Sequence, residues 1–179
     1  MIRTFFGIPL TNDSISQLTA ECNLLRPALG PKVHWIDPHL WHVTIKFMGA
    51  IEPSALTVIS EVVANGAAET SKFQLIVKKI SSFPKSCSRT VAAYLYPHPK
   101  LSHLHNLLDR AAEKMGVIPE ARRFRPHVTV AKFHSTPMQV DPLFCAEFEI
   151  PVTELVLYES RPTAQGSHYI PLQHFKLLE

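Results

Sequence analysis

The sequence predicts an α+β fold built from largely antiparallel sheets and an internal duplication, on three observations. Strand-like apolar runs outnumber helical stripes and often follow one another directly, unlike the strict strand–helix alternation of a parallel sheet. Three amphipathic stretches are set off by prolines and glycines. His42-Val43-Thr44 returns as His127-Val128-Thr129, 85 residues later in a chain of 179, the self-similarity expected of a duplicated unit.

Residues 4–10 form a short apolar run closed by Pro9, read as a strand. Thr11-Asn12-Asp13-Ser14 supplies N-cap types, and Ile15, Leu18, Cys22 and Leu25 then recur at helical spacing until Pro27, Gly30 and Pro31. Two strands follow, at 32–37 and 41–48, the second closed by Gly49. Pro53 opens a second helix with Leu56, Ile59, Val62 and Val63 on its apolar face and Gly66 as its cap.

The second half starts with an alternating strand at 73–80, a turn-rich stretch at 81–88 and a strand at 89–96. Pro97 and Pro99 precede a third helix, with Leu101, Leu104, Leu108, Ala111 and Met115 on one side and Gly116 at its end. Residues 124–133 read as a strand, and Pro126 within it implies an edge position or a strand start. Residues 148–158 and 169–178 close the fold.

A chain of this size, 46% apolar and 18% charged, fits one ordered domain over residues 1–179. A net charge of +3 with no run of like charges excludes a basic tail but permits a local anion site. Three cysteines without short spacing suit a reducing compartment, and no segment is long and apolar enough for a signal peptide core or a membrane span. A cytoplasmic location with no membrane association and no obligate protein partner is therefore expected.

In a strand, alternate residues share a face. His42 and Thr44 therefore point one way and Val43 and Ile45 the other, and the same holds for His127 and Thr129 against Val128 and Val130. With the apolar side in the core, each half presents a His–Thr pair to a groove, and pseudo-twofold packing would set the pairs opposite one another. Two opposed imidazoles suit phosphoryl transfer: one, neutral, takes a proton from water while the other, protonated, gives one to the leaving oxygen. The threonine hydroxyls can hold a phosphate oxygen, and Arg122, Arg123, Arg125 and Lys132 can offset its charge. The scheme requires no metal and no cofactor. The two motifs are nearly symmetric, so spacing leaves open which histidine is acid and which is base.

These residues resemble the two-histidine phosphoesterase superfamily, and within it the RNA 2',3'-cyclic phosphodiesterase or 2'-5' RNA ligase-like family. The likeness runs from Phe5-Phe6-Gly7-Ile8-Pro9-Leu10, through His42 with its trailing Phe47-Met48-Gly49, to the Pro126-His127-Val128-Thr129 core and Glu154-Leu155-Val156-Leu157-Tyr158. It implies a bilobed fold of two antiparallel sheets with helices outside and a central active-site cleft. It implies hydrolysis of terminal 2',3'-cyclic phosphates on RNA to 2'-phosphates, with His42 as proton donor, His127 as acceptor, and Thr44 and Thr129 on the phosphate. Arg122, Arg125, Lys132 and the aromatic Phe6 are the expected substrate-binding residues. Lys132 stands where relatives often carry arginine, which removes the two-pronged grip, and Arg125 where some carry histidine.

Three alternatives compete. The same chemistry would serve cyclic nucleotides, an ADP-ribose cyclic phosphate, or 2'-5' joining of RNA ends. A non-catalytic RNA-end module would need the cations but not both imidazoles. A metal site would draw on His34, His39 and His42, yet it lacks a third ligand of clear spacing, and His103 and His105 are two apart on a helix and do not converge.

Overall fold

A computed structural model describes residues 1–118, 122–163 and 166–179. In chain order the elements are β1 (Ile2–Pro9), α1 (Asn12–Leu29), β2 (Val33–Trp35), β3 (His42–Ile51), α2 (Pro53–Ala68), β4 (Phe73–Phe83) and β5 (Cys87–Ser88). Then come β6 (Thr90–Leu95), α3 (Pro99–Lys114), β7 (His127–Phe133), β8 (Met138–Gln139), β9 (Leu143–Phe144), β10 (Glu149–Val152), β11 (Glu154–Thr163) and β12 (Gly166–Lys176).

The large sheet runs β10-β4-β6-β7-β3-β1-β11-β12, with β2 beside β7 and β9 beside β4, and these strands pair antiparallel. It divides into two four-strand halves that mirror each other. On one side β1 and on the other β6 is followed by a helix, and each lies next to a strand that opens with His-Val-Thr. The halves meet where Val43 faces Val128. Beyond that pair β7 turns to β2, through Val33–Phe133, His34–Lys132 and Trp35–Ala131. The two lobes thus diverge from a shared seam, as the fold class anticipated.

The helices pack on the apolar side. Leu18, Cys22 and Leu29 of α1, Ile59 and Val63 of α2, and Leu101, Leu104 and Leu108 of α3 join Phe6, Ile8, Val43, Val128 and Val130 in one core. Thr11 caps α1 by accepting from the Ser14 N–H, and Ser14 Oγ donates to the Glu149 carbonyl of the far lobe. Conversely α3, which follows a strand of the second lobe, clasps the first: its Asp109 pairs with Lys46 of β3. Each of these two helices thereby ties one half to the other.

Several boundaries differ from the sequence reading. Helix α1 continues through Pro27 to Leu29, because in the last turn a missing N–H costs a single bond on the exposed side. Gly66 is no cap. It lies inside α2 where α3 comes close, and a Cβ there would collide with the Leu107 side chain. Val62 faces outward, and Met115 caps α3. Gly49, at φ +73, lies within β3 at a bulge rather than ending it. Pro126 marks the start of β7, an interior strand and not an edge. Strand β4 runs on through Ser81 and Ser82, whose hydroxyls are satisfied by the carbonyls of Val140 and Met138, so Phe83 reaches the cleft. The run 148–158 splits at Thr153, its two parts pairing in opposite lobes.

The Lys46–Asp109 pair is mostly withdrawn from water, with side-chain exposures of 6% and 27%. A buried pair is costly to break because one charge is left behind. Asp109→Ala is expected to lower unfolding stability in urea by about 2–4 kcal/mol, and Lys46→Met combined with Asp109→Leu to recover most of it. Equal losses in both variants would show that the pair carries no such weight.

Candidate active site

Val43 and Val128 are fully buried, and the pleat therefore turns His42, Thr44, His127 and Thr129 to the opposite, partly open face. Because the strands are antiparallel about this pair, His42 lies across from Thr129 and Thr44 across from His127. The expected juxtaposition of two His–Thr pairs is present, around a local twofold through the valines.

Each strand then bulges at the fourth motif residue. Against β1, Thr44 faces Gly7 and Lys46 faces Phe6, so Ile45 has no partner. Against β6, Thr129 faces Ala92 and Ala131 faces Val91, so Val130 has none. A bulge sends two consecutive residues inward: Ile45 with Lys46, and Val130 with Ala131, are all buried. The next residue of each strand returns to the cleft face. The structural counterpart of Lys132 is thus Phe47, and that of Lys46 is Ala131. Lys132 is exposed on the cleft face, and Phe47 is 63% exposed there.

The rings are held alike. His42 Nδ1 meets the Leu40 carbonyl at 2.8 Å, and His127 Nδ1 meets the Arg125 carbonyl at 2.8 Å. Each carbonyl is two residues upstream, presented by the turn Pro38–Leu40 in one half and by the extended Arg125-Pro126 in the other. A carbonyl accepts only, so Nδ1 carries hydrogen and Nε2 is the nitrogen left for a ligand. Phe5 (4.8 Å) and Tyr169 (5.0 Å, edge-on) pack His42, and Phe5 in turn stacks on Tyr158. Phe83 stacks on His127 at 3.8 Å.

Burial pushes both imidazoles below the ordinary 6.5. Their carbonyl partners oppose this, while a charge on His127 adds to it at His42 and the Arg125 charge adds to it at His127. Two rings that disfavour charge can serve as an acid–base pair where an anion favours the imidazolium. Tyr158 is pushed up to about 12, chiefly by burial, and stays a neutral donor.

The other expected binding residues separate. Arg125 is exposed at the cleft, its guanidinium 5.6 Å from the Phe83 ring centre and 5.9 Å from that of Tyr94, with Nη1 donating to the Pro84 carbonyl. Arg122 and Arg123 line an adjoining cavity of about 710 Å³ against α3, which Arg125 and Tyr94 also line, with His105, Phe124 and Asp109, and which neither His42 nor His127 lines. Phe6 is corrected: it is 0% exposed and packs on Phe175 in the core. With residues on both faces of β1 buried, alternation does not say which phenylalanine faces the cleft, and it is Phe5. Phe47, Phe83 and Tyr169 escaped the sequence reading. The first depends on a bulge and the others on cross-strand register, neither of which is written locally. Among the described residues no three His, Cys, Asp or Glu side chains cluster as metal ligands, and no helix is long and apolar enough to cross a membrane.

The profile of the 2'-5' RNA ligase superfamily matches residues 14–163. The RNA 2',3'-cyclic phosphodiesterase of Methanothermobacter thermautotrophicus is 26% identical over 98% of this chain and 99% of its own. That of Geobacillus stearothermophilus is 23% identical over 87% of this chain, which spans about half (51%) of that relative's length. Among solved structures, TT0787 of Thermus thermophilus superposes with a TM-score of 0.87 at 22% identity, covering 98% of both chains, and shares the fold.

Both imidazoles of the free protein are expected to titrate below 6.5 and to move upward when inorganic phosphate is added, followed by NMR of the ring protons. A ring that titrates above 6.5 in the free protein would contradict the burial argument.

Proposed function

The chain belongs to the 2'-5' RNA ligase superfamily, and from that premise we propose that it hydrolyses terminal 2',3'-cyclic phosphates of RNA to 2'-phosphomonoesters. One observation carries the reading: two histidines related by a local twofold, each with Nδ1 tied to the carbonyl two residues upstream and Nε2 left for a ligand on the shared face. The names of the relatives, all RNA 2',3'-cyclic phosphodiesterases, support the substrate class.

The chemistry then follows. Neutral His127 accepts a proton at Nε2 from water as the water oxygen bonds to phosphorus. The bond from phosphorus to the ribose 3' oxygen breaks, and His42 gives its Nε2 proton to that oxygen. The products are a 2'-phosphate and a 3'-hydroxyl, and solvent resets the two protons. Thr44 and Thr129 donate to the non-bridging oxygens, and Lys132 with Arg125 offsets their charge.

The assignment of acid and base is supported by the asymmetry beyond the bulges. Exposed Phe47, near Phe5 at 5.8 Å, offers a stacking face for the base on the His42 side. Lys132 offers charge on the His127 side. A base on Phe47 puts the ribose and its leaving oxygen at His42 and leaves the attacking water to His127, while the chain on the 5' side turns across the cleft toward Arg125 and Tyr94. A 5'-hydroxyl in place of water would give a 2'-5' linkage by the same transfers.

We place the activity in the cytoplasm. All three cysteines are free, and burial pushes the thiols of Cys22 and Cys145 up to about 12, leaving them inert.

His42→Ala and His127→Ala are each expected to lower turnover of an oligonucleotide ending in a 2',3'-cyclic phosphate by about 10²-fold or more, with an unchanged circular dichroism spectrum. Full activity in either variant would end the acid–base scheme. The free-enzyme profile of kcat/KM needs one neutral and one charged ring. With both rings lowered, it should peak on the acid side of 6.5 and fall as pH rises above it.

A further inference from the structure

We propose that the cleft face of the second lobe, from Arg125 and Tyr94 across Lys79 to Phe144, is a track for the single-stranded RNA that precedes the cyclic end. The inference rests on the hydrolase reading for its anchor at His127, and adds that the preferred substrate is an oligonucleotide rather than a mononucleotide.

Register places these residues in one row. Tyr94 faces His127, Lys79 faces Tyr94, and Phe144 faces Lys79. Directly opposed residues share a face, so the row starts at the catalytic face and crosses β7, β6, β4 and β9. Three inter-strand steps carry it about 14 Å from His127, well past the reach of one nucleotide.

Cations and rings alternate along it. The Tyr94 ring lies under two cations, Lys79 Nζ at 5.1 Å and the Arg125 guanidinium at 5.9 Å. The ring's hydroxyl donates to the Ser82 carbonyl at 2.6 Å, which locks its orientation. Phe83, stacked on His127, also carries Arg125 over its ring. Among the described residues no carboxylate pairs with Lys79, Arg125 or Lys132. The row ends at Phe144, 70% exposed on a two-residue edge strand. The acidic side chain of Glu147, three residues on, is engaged by the Tyr96 phenol.

An exposed aromatic at the end of a strip of unneutralised cations, continuous with a phosphate site, matches single-stranded nucleic acid: bases stack on ring and guanidinium planes, and phosphates meet the cations. The cleft face of the first lobe has no such cations over its rings among the described residues. There Phe5, Tyr158 and Tyr169 pack on one another and on His42.

The test uses the whole protein and two probes: 2',3'-cyclic CMP, and a labelled six-nucleotide RNA carrying a 2',3'-cyclic phosphate. Lys79→Ala and Phe144→Ser are each expected to weaken binding of the RNA about 5- to 10-fold by fluorescence anisotropy and to raise its KM alike. Turnover of the mononucleotide, which reaches neither Lys79 on β4 nor Phe144 on β9, is expected to stay at the wild-type value. Lys79→Ala should also reduce the salt dependence of RNA binding by about 0.7 in log–log slope. RNA affinity equal to wild type in both variants overturns the track, whatever the turnover. RNA binding that depends on Lys79 and Phe144 in a wild-type protein that hydrolyses neither probe would overturn the hydrolase reading and uphold the track.

Discussion

The cleft depends on one backbone pairing, Val43 opposite Val128. Both side chains are fully buried, and in a strand that commits the neighbours on either side to the opposite face. A slip of one residue in either strand would turn an imidazole into the core and a valine into water. The hydrophobic cost of that exchange is what holds two residues 85 positions apart in register. The helices reinforce it by reaching across, α1 through Ser14 to β10 and α3 through Asp109 to Lys46.

Electrostatics is built on this frame. The rings are anchored by carbonyls and packed by aromatics, and among the described residues no carboxylate orients them. A carboxylate partner would have raised their affinity for protons at all times. Carbonyl anchoring instead leaves burial in command, and the site favours charge only when an anion supplies it. Symmetry suits a reaction that needs a donor and an acceptor of the same kind. It is broken where direction is needed, since the residue returning to the cleft after each bulge is Phe47 on one lobe and Lys132 on the other.

Much of this was legible in the sequence. The alternation in His-Val-Thr-Ile and His-Val-Thr-Val was enough to place two imidazoles on a common face, since each motif alternates two polar with two aliphatic residues. Thr11 marked a helix start by its capping hydroxyl, and Pro53 and Pro99 by their missing N–H and fixed φ. What stayed hidden was non-local. Ile45 and Val130 look like ordinary strand residues, and their bulges exist only relative to β1 and β6. The partner of Lys46 is Asp109, distant in sequence and beside it only in the fold. Ser81 and Ser82 read as a turn because their hydroxyls' partners lie far along the chain, at Val140 and Met138. Phe5 and Phe6 were inseparable locally, since both sides of that strand are covered.

The most direct measurement is a crystal structure with a nucleoside vanadate, whose five-coordinate centre mimics in-line attack. The account predicts His42 Nε2 within hydrogen-bond distance of the apical ribose oxygen and His127 Nε2 at the opposite apex, with Thr44 and Thr129 on the equatorial oxygens. Vanadate held by one imidazole alone, or by the arginine-lined cavity beside α3, would contradict it.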